Sequence, residues 1–324
     1  MDAAAASVPI RVVAGVLLDG KGRALLARRT EGRDLAGLWE FPGGKREPGE
    51  AGADALAREL AEELGIQVRP SDCRSLIAVP FAYPGKRIVL AAYTVHAWTG
   101  EPRGLEAQAL AWAPVEGLHA YPMPPADLPV LAALRDPPLY LITPEPVPEA
   151  HPAFIAAVES ALAGGIRRIQ LRARAMEEAR LRRLAADLAD RCRDACAELF
   201  INGRADLALK LGVGVHLRAD QLRPHAGRRP LPPGLPVAAS CHDADELALA
   251  AECGADFVVL GPLAPTATHP GAAGIGWAAF AALRETTALP IYALGGLGPA
   301  DLVLARAHGA QGVAGISAFW PGTR

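Results

Sequence analysis

Short apolar segments alternate with helix-forming stretches through the second half of the chain, and this alternation restricts the possible folds more than any other feature. The stretches between the apolar segments are rich in Ala, Leu and Arg, which favour helices. The apolar segments lie at 139–142, 168–171, 199–202, 214–217, 237–240, 257–260, 291–294 and 312–315. Eight strands with helices between most of them predict a (β/α)₈ barrel, in which functional groups follow the carboxyl ends of the strands.

The first part of the chain has a different organisation. An apolar run at 10–18, the turn-forming Asp19-Gly20-Lys21-Gly22 and an extended stretch at 24–29 predict a β-hairpin. Further strands are predicted at 76–79, 87–98 and 109–113, with a closing helix at 126–135. We therefore expect an α/β domain with a mixed sheet at 1–135, and a second domain at 136–324 that begins at the stiff junction Asp136-Pro137-Pro138.

The densest local pattern is a loop followed by a helix between Gly43 and Ile66. Strong helix formers begin at Ala53, and Gly65 is placed to end the helix. One face of this helix carries the apolar stripe Leu56, Leu60 and Leu64. The neighbouring face carries three carboxylates at i, i+3 and i+4 spacing, namely Glu59, Glu62 and Glu63.

This acidic face has two interpretations. A solvated acidic helix is the simpler one, and a pair of glutamates alone would indicate no more than that. Three like charges on one face repel one another, however, so their clustering favours a site for a hard cation. Mg²⁺ is the expected ion and Mn²⁺ an alternative, since such ions accept a few carboxylates together with water and substrate phosphates.

The spacing of the box identifies a family resemblance. Starting at Gly44, the pattern Gly-x5-Glu-x7-Arg-Glu-Leu-x-Glu-Glu-x-Gly-Ile is met at every fixed position. It resembles the Nudix box, the signature of hydrolases that cleave a diphosphate linked to another moiety. Further segments are similar to the MutT branch of this family, which sanitises oxidised guanine nucleotides: Ala27-Arg28-Arg29, the run from Leu38 to Lys45, and Met123-Pro124-Pro125-Ala126-Asp127.

The resemblance implies a role for each matching residue. Glu59 would be the general base, with Arg58 orienting or partly neutralising a neighbouring carboxylate. Metal would be held by Glu59, Glu62, Glu63, Glu106 and the carbonyl of Gly43. Arg29 would contact the phosphate and sugar end of the substrate, assisted by Lys45. The implied reaction converts 8-oxo-dGTP to 8-oxo-dGMP and pyrophosphate, a step in nucleotide-pool sanitation and DNA repair.

Asp127 departs from the MutT pattern, which has Asn at this position to contact the oxidised base. An amide both donates and accepts hydrogen bonds, whereas an ionised Asp only accepts. Asp127 could therefore contact N1 and N2 of guanine but could donate to O6 only when protonated. A second interpretation makes Asp127 the N-cap of the closing helix, and the sequence leaves both open.

The second domain resembles thiamine phosphate synthase and its TenI-like relatives. Matching segments include Tyr140-Leu141-Ile142-Thr143, Phe200-Ile201-Asn202, Gly214-Val215-His216-Leu217, Leu260-Gly261-Pro262 and Pro265-Thr266-Ala267-Thr268. The resemblance implies that a phosphorylated small ligand is bound by Gln170, Arg172, His242, Gly295, Gly296 and Ser317. Two alternatives stay open, because His242 could be a packed histidine and the glycines could serve only to turn the chain.

Four positions depart from the synthase pattern. Arg174 and His269 replace lysines, while Gly203 and Gln221 replace the two metal-binding aspartates. Without those carboxylates the barrel lacks the charge to hold Mg²⁺ on a pyrophosphate leaving group. We therefore expect no synthase activity but a TenI-like role, such as tautomerisation of a thiazole phosphate or ligand sensing.

Composition limits the partners. The net charge of -2 and sequence pI near 6.5 show no basic character, so a nucleic-acid polymer is not expected as a partner. Met1 to Val8 lacks the features of a signal peptide and no apolar run could span a bilayer, which predicts a soluble cytoplasmic protein without membrane association. The oligomeric state is not predicted.

Three functions are consistent with the sequence. The first is a Mg²⁺-dependent nucleoside triphosphate pyrophosphohydrolase that carries a barrel of altered function. The second is a bifunctional enzyme whose barrel makes thiamine phosphate or tautomerises thiazole phosphate. The third is a Nudix-type ligand sensor, which the intact set of Glu59, Glu62 and Glu63 argues against.

Overall fold

The computed structural model describes residues 8–147, 151–265 and 274–320. The chain divides into two compact units, one made of Met1–Asp136 with Arg284–Ala288 and Arg306–Gly309, and the other made of the remaining residues. The resemblance at Thr266-Ala267-Thr268 and the departure at His269 lie outside the described residues. Within the described ranges, no helix is both long enough and apolar enough to cross a membrane.

The first unit contains seven described strands in two sheets. The strands are β1 (Ile10–Leu17), β2 (Arg23–Arg28), β3 (Trp39–Glu40), β4 (Gly43–Lys45), β5 (Cys73–Tyr83), β6 (Lys86–Val95) and β7 (Leu110–Pro114). A four-stranded mixed sheet has the order β4-β1-β6-β5, with β1 and β6 parallel and the other pairs antiparallel. A three-stranded antiparallel sheet has the order β3-β2-β7.

The predicted hairpin between the first two strands is wrong in its pairing. The turn after β1 does reverse the chain, but the only bridge between the two arms joins Leu18 to Ala24, and β1 and β2 then enter different sheets. Both strands are largely buried, so each needs apolar neighbours on both faces. The parallel pairing with β6 gives β1 eight paired residues, which a two-stranded ribbon could not bury.

Two helices cover the strands from opposite sides. Helix α1 (Gly52–Leu64) shares a core cluster with Val13 and Leu17, while α2 (Leu128–Arg135) shares another with Ala14 and Val16. Because alternate residues of β1 enter the two clusters, this strand lies in the middle layer. The predicted α/β/α sandwich with a mixed sheet is confirmed, although the closing helix begins at Leu128, after a 3₁₀ turn at Pro125–Asp127.

The second unit is a closed barrel of eight parallel strands. They are β8 (Leu139–Ile142), β9 (Arg168–Leu171), β10 (Glu198–Asn202), β11 (Gly214–Leu217), β12 (Val237–Cys241), β13 (Phe257–Leu260), β14 (Ile291–Leu294) and β15 (Gly312–Gly315). The helices are α3 (His151–Ala163), α4 (Glu178–Asp194), α5 (Ala205–Leu211), α6 (Leu222–His225), α7 (Ala244–Glu252), α8 (Gly276–Arg284) and α9 (Leu302–Ala307). The prediction of a (β/α)₈ barrel is confirmed.

Aromatic side chains fill the barrel. Four aromatic residues are buried there, Tyr140, Phe200, Phe257 and Tyr292. Five pairs of these rings are in contact, with centroids 5.2 to 5.7 Å apart. The guanidinium of Arg168, at the first position of β9, lies 4.3 Å from the ring centroid of Phe257. These groups close the amino-terminal end of the barrel, so its open end is the one where the strands terminate.

Candidate functional site

Helix α1 fixes the orientation of three predicted carboxylates. Its apolar stripe, Leu56, Leu60 and Leu64, is fully buried, and the chain leaves the helix at Gly65 in the left-handed region with φ 69°. The neighbouring face therefore has a defined direction. Glu63 is buried, Glu59 is half-buried and Glu62 is exposed.

Glu63 is tied to the loop that precedes the helix. Its Oε2 accepts a hydrogen bond of 3.0 Å from the backbone N–H of Gly43. Burial raises the pKa of Glu63 to about 7, and the charges of Glu40 and Glu106 act in the same direction, while the bond from Gly43 opposes them. A carboxyl held in this way gains from a nearby positive charge.

Close approach requires glycine at position 43, and glycine at position 44 leaves room for the carboxylate of Glu59. A Cβ at Gly43 would lie 2.1 Å from the carbonyl oxygen of Val13, and one at Gly44 would lie 2.2 Å from Oε2 of Glu59. The missing side chains thus allow the loop to lie directly against β1 and against the acidic face of α1.

Arg58 links the acidic residues to one another. Its guanidinium donates to both carboxylate oxygens of Glu50 at 3.1 Å, to Oε1 of Glu59 at 2.9 Å and to Oε2 of Glu62 at 3.2 Å. It also donates to the carbonyl of Lys45 at 3.1 Å. Arg58 therefore holds Glu59 in place and partly neutralises it, as an orienting residue would.

One cavity of about 560 Å³ collects the predicted residues of the first domain. Its walls include Arg29, Gly43, Lys45, Glu59, Glu62, Glu63, Glu106 and Asp127. Arg58 is not part of the wall but contacts the cavity-lining carboxylates. The positive side chains and the carboxylates face the same space, which suits a substrate that carries phosphates and a cation.

Sequence reasoning assigned no role to several charged residues of this cavity. Glu40 pairs with Arg29, and Arg33 pairs with Glu106. Lys86 lies 2.5 Å from Asp34. Of the residues without an assigned role, Glu40 lies in a segment that resembles MutT and could have been noticed in the sequence. The others come from a surface loop and a strand end, whose neighbours depend on the fold.

Asp127 lies at the other side of the same cavity and is 6% exposed. Although it immediately precedes α2, its side chain makes no capping hydrogen bond, so the N-cap interpretation is wrong. Burial raises the pKa of the carboxyl to about 8; the charge of Glu40 adds to this, whereas the N–H of Phe41 and the charge of Arg29 oppose it. Near neutral pH the carboxyl is therefore mostly protonated and can donate a hydrogen bond.

The donor set fits a hard divalent cation in chemical type. The cavity offers several carboxylates and a backbone carbonyl, the ligands that Mg²⁺ accepts. The described residues contain no ready-made group of three or more metal-binding side chains. The reason is visible in the contacts, because Arg33 engages Glu106 and Arg58 engages Glu59 and Glu62. A bound cation would displace Arg33 from Glu106 and Arg58 from Glu62, whereas Arg58 can stay on Oε1 of Glu59 because Oε2 takes no part in that contact.

The barrel has a cavity of about 840 Å³ at the ends of its strands. Its walls include all six residues predicted to bind a ligand there, Gln170, Arg172, His242, Gly295, Gly296 and Ser317. They also include residues to which the sequence assigned no role, Arg218, Asp220, Ser240 and Cys241. Strands β9, β12, β14 and β15 thus contribute to one site, as expected for this fold.

A chain of hydrogen bonds lies beneath this cavity. Nδ2 of Asn202 donates to Oε1 of Gln170 at 2.9 Å, and Nε2 of Gln170 donates to the hydroxyl of Tyr140 at 3.3 Å. The Tyr140 hydroxyl lies 3.0 Å from Nδ1 of His216, and Nε2 of His216 lies 2.8 Å from Oγ of Ser240, so the neutral ring donates to one of these hydroxyls and accepts from the other.

His216 is neutral in this chain. It is almost fully buried, and burial lowers its pKa to about 3. A neutral imidazole carries one N–H and one bare nitrogen, so it can donate to one of its two hydroxyl partners, Tyr140 and Ser240, and accept from the other. The matching segment that contains His216 gave no signal for this role.

The structure separates the alternatives that the sequence left open for His242 and Gly295. His242 is exposed and its Nδ1 lies 2.8 Å from Oε2 of Glu246, so it is not a packed core histidine. Gly295 has φ 125°, and a Cβ there would lie 2.4 Å from the backbone nitrogen of Leu263. The backbone alone therefore requires glycine at 295, and a contact with phosphate is not needed to explain it.

Comparison with known proteins agrees with this architecture. Residues 8–134 match the NUDIX domain family, and residues 139–319 match the family described as Thiamine monophosphate synthase. For the first region, an 8-oxo-dGTP diphosphatase of Haemophilus influenzae is 41% identical over 36% of this chain and 85% of that protein. CTP pyrophosphohydrolase of Escherichia coli is 42% identical over 38% of this chain and 90% of that protein.

The barrel has relatives of its own. A Geobacter sulfurreducens protein named "Putative thiamine-phosphate synthase" is 38% identical over 56% of this chain and 85% of that protein. Together, these matches show that the chain is a Nudix hydrolase over residues 8–134 and belongs to the thiamine monophosphate synthase family over residues 139–319.

Proposed function

We propose that the first domain, taken as residues 1–135, cleaves nucleoside triphosphates to a nucleoside monophosphate and pyrophosphate, with 8-oxo-dGTP as the leading substrate. The supporting observation is that one cavity collects the box carboxylates, the cations Arg29, Arg33, Lys45 and Lys86, and a buried hydrogen-bonding group. Lys45 and Arg29 suit the phosphate and sugar end, and Asp127 suits the base.

The residues of the cavity divide the chemical work. The carboxylate of Glu59 takes the proton from the attacking water, whose oxygen forms a bond to phosphorus as the anhydride bond to pyrophosphate breaks. Arg58 keeps Glu59 pointed at the cavity. Lys45 and Arg29 reduce the repulsion between the phosphates and the acidic wall.

Mg²⁺, or Mn²⁺ in its place, would supply positive charge that offsets the phosphate oxygens and makes a water molecule more acidic. The residues that would hold it are Glu59, Glu62, Glu63, Glu106 and the carbonyl of Gly43. The raised pKa of Glu63 supports this assignment, because the carboxylate has no cationic partner among the hydrogen bonds of the described residues.

A cytosine nucleotide is the second candidate substrate. A protonated Asp127 donates one hydrogen bond and accepts another, and this pattern complements N3 and N4 of cytosine as well as O6 and N1 of guanine. The similarity to CTP pyrophosphohydrolase favours testing this base. Measurement of turnover for both cytosine and guanine nucleotides will therefore decide the nucleobase preference.

We assign the barrel a TenI-like role on a phosphorylated small ligand, either tautomerisation of a thiazole phosphate or ligand sensing. Support comes from the cavity at the strand ends, which contains Ser240 and Ser317 as hydroxyl groups and Arg172 as a cation. The absence of carboxylates at Gly203 and Gln221 argues against thiamine phosphate synthesis.

The test is release of pyrophosphate by the full chain from 8-oxo-dGTP, dGTP and CTP, and of orthophosphate from thiamine diphosphate, with and without Mg²⁺. Turnover of 8-oxo-dGTP that requires Mg²⁺ and is lost in Glu59→Gln supports the proposal. Turnover confined to CTP moves the assignment to the second candidate. Binding of a nucleotide without turnover of any of the four would support a sensor and overturn the hydrolase substrate assignment.

A further inference from the structure

Three arginines line one side of the barrel mouth. Arg172 directly follows β9, Arg174 lies two residues further on, and Arg218 directly follows β11. In the described part of the chain, the side chains of Arg172 and Arg174 have no ion-pair partner within 4.0 Å. Burial lowers the pKa of Arg172 and the charge of Arg174 lowers it further, while Glu145 offsets part of this. Two neighbouring cations in this state are stabilised by an anion.

Arg218 fills the space that Gly203 leaves empty. A Cβ at position 203 would lie 2.3 Å from Nη1 of Arg218, so a side chain there and the present position of Arg218 exclude each other. Gln221 secures the arrangement, because its Nε2 donates to the carbonyl of Gly203 at 3.0 Å and its Oε1 accepts from the N–H of Arg218 at 3.1 Å. Gly203, Arg218 and Gln221 are therefore fitted to one another.

This arrangement does not fit a divalent cation. The family resemblance implies aspartates at 203 and 221, and the chain has a glycine and an amide there. A guanidinium, which is positively charged at all relevant pH values, lies against position 203, and the backbone N–H of the same arginine donates to Gln221. Of the nearby carboxylates, Asp220 is 68% exposed and accepts from both forked donors of Arg218, from Nε at 3.0 Å and from Nη2 at 2.9 Å. A bound diphosphate would therefore have to displace this exposed carboxylate from Arg218.

We propose that Arg172, Arg174 and Arg218 bind a diphosphate group directly, without a divalent cation, with Arg218 supplying the positive charge that a metal would otherwise bring. Guanidinium groups present forked N–H donors that match the geometry of phosphate oxygens. Three guanidiniums complement the several negative charges of a diphosphate better than those of a single phosphate. The site is thus distinct in its chemistry from a carboxylate site that holds a diphosphate through Mg²⁺.

The direct test is calorimetric titration of the full chain with inorganic pyrophosphate in excess EDTA. We expect one equivalent of pyrophosphate to bind to the barrel. Added Mg²⁺ should change the affinity of this site less than threefold, after binding of pyrophosphate by the first domain is subtracted. Arg218→Gln should weaken this binding at least tenfold, and inorganic phosphate should bind at least tenfold more weakly than pyrophosphate. Binding that requires Mg²⁺, no binding in EDTA, or equal affinities for phosphate and pyrophosphate would each overturn the proposal.

Two control variants test whether cationic side chains elsewhere in the chain account for the binding of pyrophosphate. Arg191→Gln removes an arginine of similar exposure, 36% against 35%, which pairs with Glu159 on the surface, and it should leave binding unchanged. The double variant Arg29→Gln, Lys45→Gln removes cations of the first domain and should also leave the metal-free binding unchanged. Loss of metal-free binding in that double variant, with retention in Arg218→Gln, would place the ligand in the wrong domain and reject the assignment.

A complementary variant asks whether the metal requirement can be restored. Gly203→Asp, Arg218→Gly and Gln221→Asp, combined in one chain, replace the guanidinium with two carboxylates. Gly203 has φ 69°, a conformation that Asp tolerates better than most residues. Pyrophosphate binding by the triple variant should require Mg²⁺. If it does not fold, Arg218→Lys gives a second test of the role of Arg218. It keeps the charge but loses the forked donors, and it should bind pyrophosphate more weakly than the native chain but more tightly than Arg218→Gln.

Discussion

The backbone N–H of Gly43 donates a hydrogen bond to Oε2 of Glu63 at 3.0 Å, although the two residues are separated by much of the Nudix box. This contact holds the loop against helix α1. It depends on the absence of a side chain at 43, where a Cβ would lie 2.1 Å from the carbonyl oxygen of Val13. The loop and the carboxylates therefore form a single unit.

Replacement of Gly43 by Ala should damage both stability and activity. The clash and the φ of 155° should lower the free energy of unfolding by about 1–3 kcal/mol and should displace Glu63. Chemical denaturation and pyrophosphate release measure the two effects. Gly20→Ala is the control, because a Cβ there meets no atom within 4 Å, and its stability should change little. Equal behaviour of the two variants would contradict this account of the loop.

Replacement of Glu59 by Gln should act on the chemical step. The amide keeps the size of the side chain but cannot take a proton, so kcat should fall by roughly 10²–10⁴-fold with a small change in KM. Far-ultraviolet circular dichroism checks the fold. Glu101→Gln, an exposed change in a loop, should leave kcat unaltered. A Glu59→Gln enzyme with nearly full kcat would remove Glu59 from the catalytic role.

Asp127 should make the choice of base depend on pH. Its pKa of about 8 means that the neutral acid donates and accepts below that pH, whereas the ionised form only accepts. The ratio of kcat/KM for CTP to that for dGTP should therefore fall as pH rises through about 8. Because it is a ratio for one enzyme, pH effects that act equally on both substrates cancel.

Asp127→Asn supplies the matched comparison. The amide donates and accepts at every pH, so the ratio should be flat across the same range. The groups that face Asp127 are Glu40, Arg29 and Tyr83, and they are unchanged in this variant. A native ratio that is flat, or an Asn variant that keeps the slope, would show that Asp127 is not the group that titrates.

His216 should make the barrel less stable in acid. Its pKa is about 3 when folded and 6.5 in an unfolded chain, so between these values the unfolded state binds an additional proton. The free energy of unfolding should fall as pH drops from about 6.5, by up to roughly 1.4 kcal/mol per pH unit. Denaturation followed at several pH values measures this slope.

The variant His216→Gln removes the titrating group. Whatever its own stability, its pH slope between about 4 and 6.5 should be shallower than that of the native chain. His96→Gln removes an exposed histidine and should keep the native slope. Identical slopes in all three proteins would show that His216 does not remain neutral in the fold.

The sequence predicted the features that depend on local pattern. Eight barrel strands, the apolar stripe of α1 and the left-handed end at Gly65 follow from periodicity and from residue conformational preferences, and the structure has all of them. The pairing of β1 was not predictable in this way. Turn chemistry at Asp19 to Gly22 indicates a reversal of the chain, but the partner of each strand is set by which long, apolar strand can cover it.

Contacts between distant residues account for what the sequence could not show. Nothing near Gly203 in the sequence indicates that the side chain of Arg218 occupies its empty space, and nothing near Asp127 indicates burial beside Glu40. Both follow only from how separate elements pack. The departures from the family pattern were visible as substitutions, whereas their structural compensation was not.

The packing of Arg168 against Phe257, beside the rings of Tyr140 and Tyr292, determines how a ligand can reach the barrel cavity. With that end closed, a ligand must enter and leave by the same mouth. Release of a bound diphosphate from the three arginines then competes with arrival of the next molecule. The barrel cavity therefore has one opening, and its occupancy will follow the concentration of its ligand in the surrounding solution.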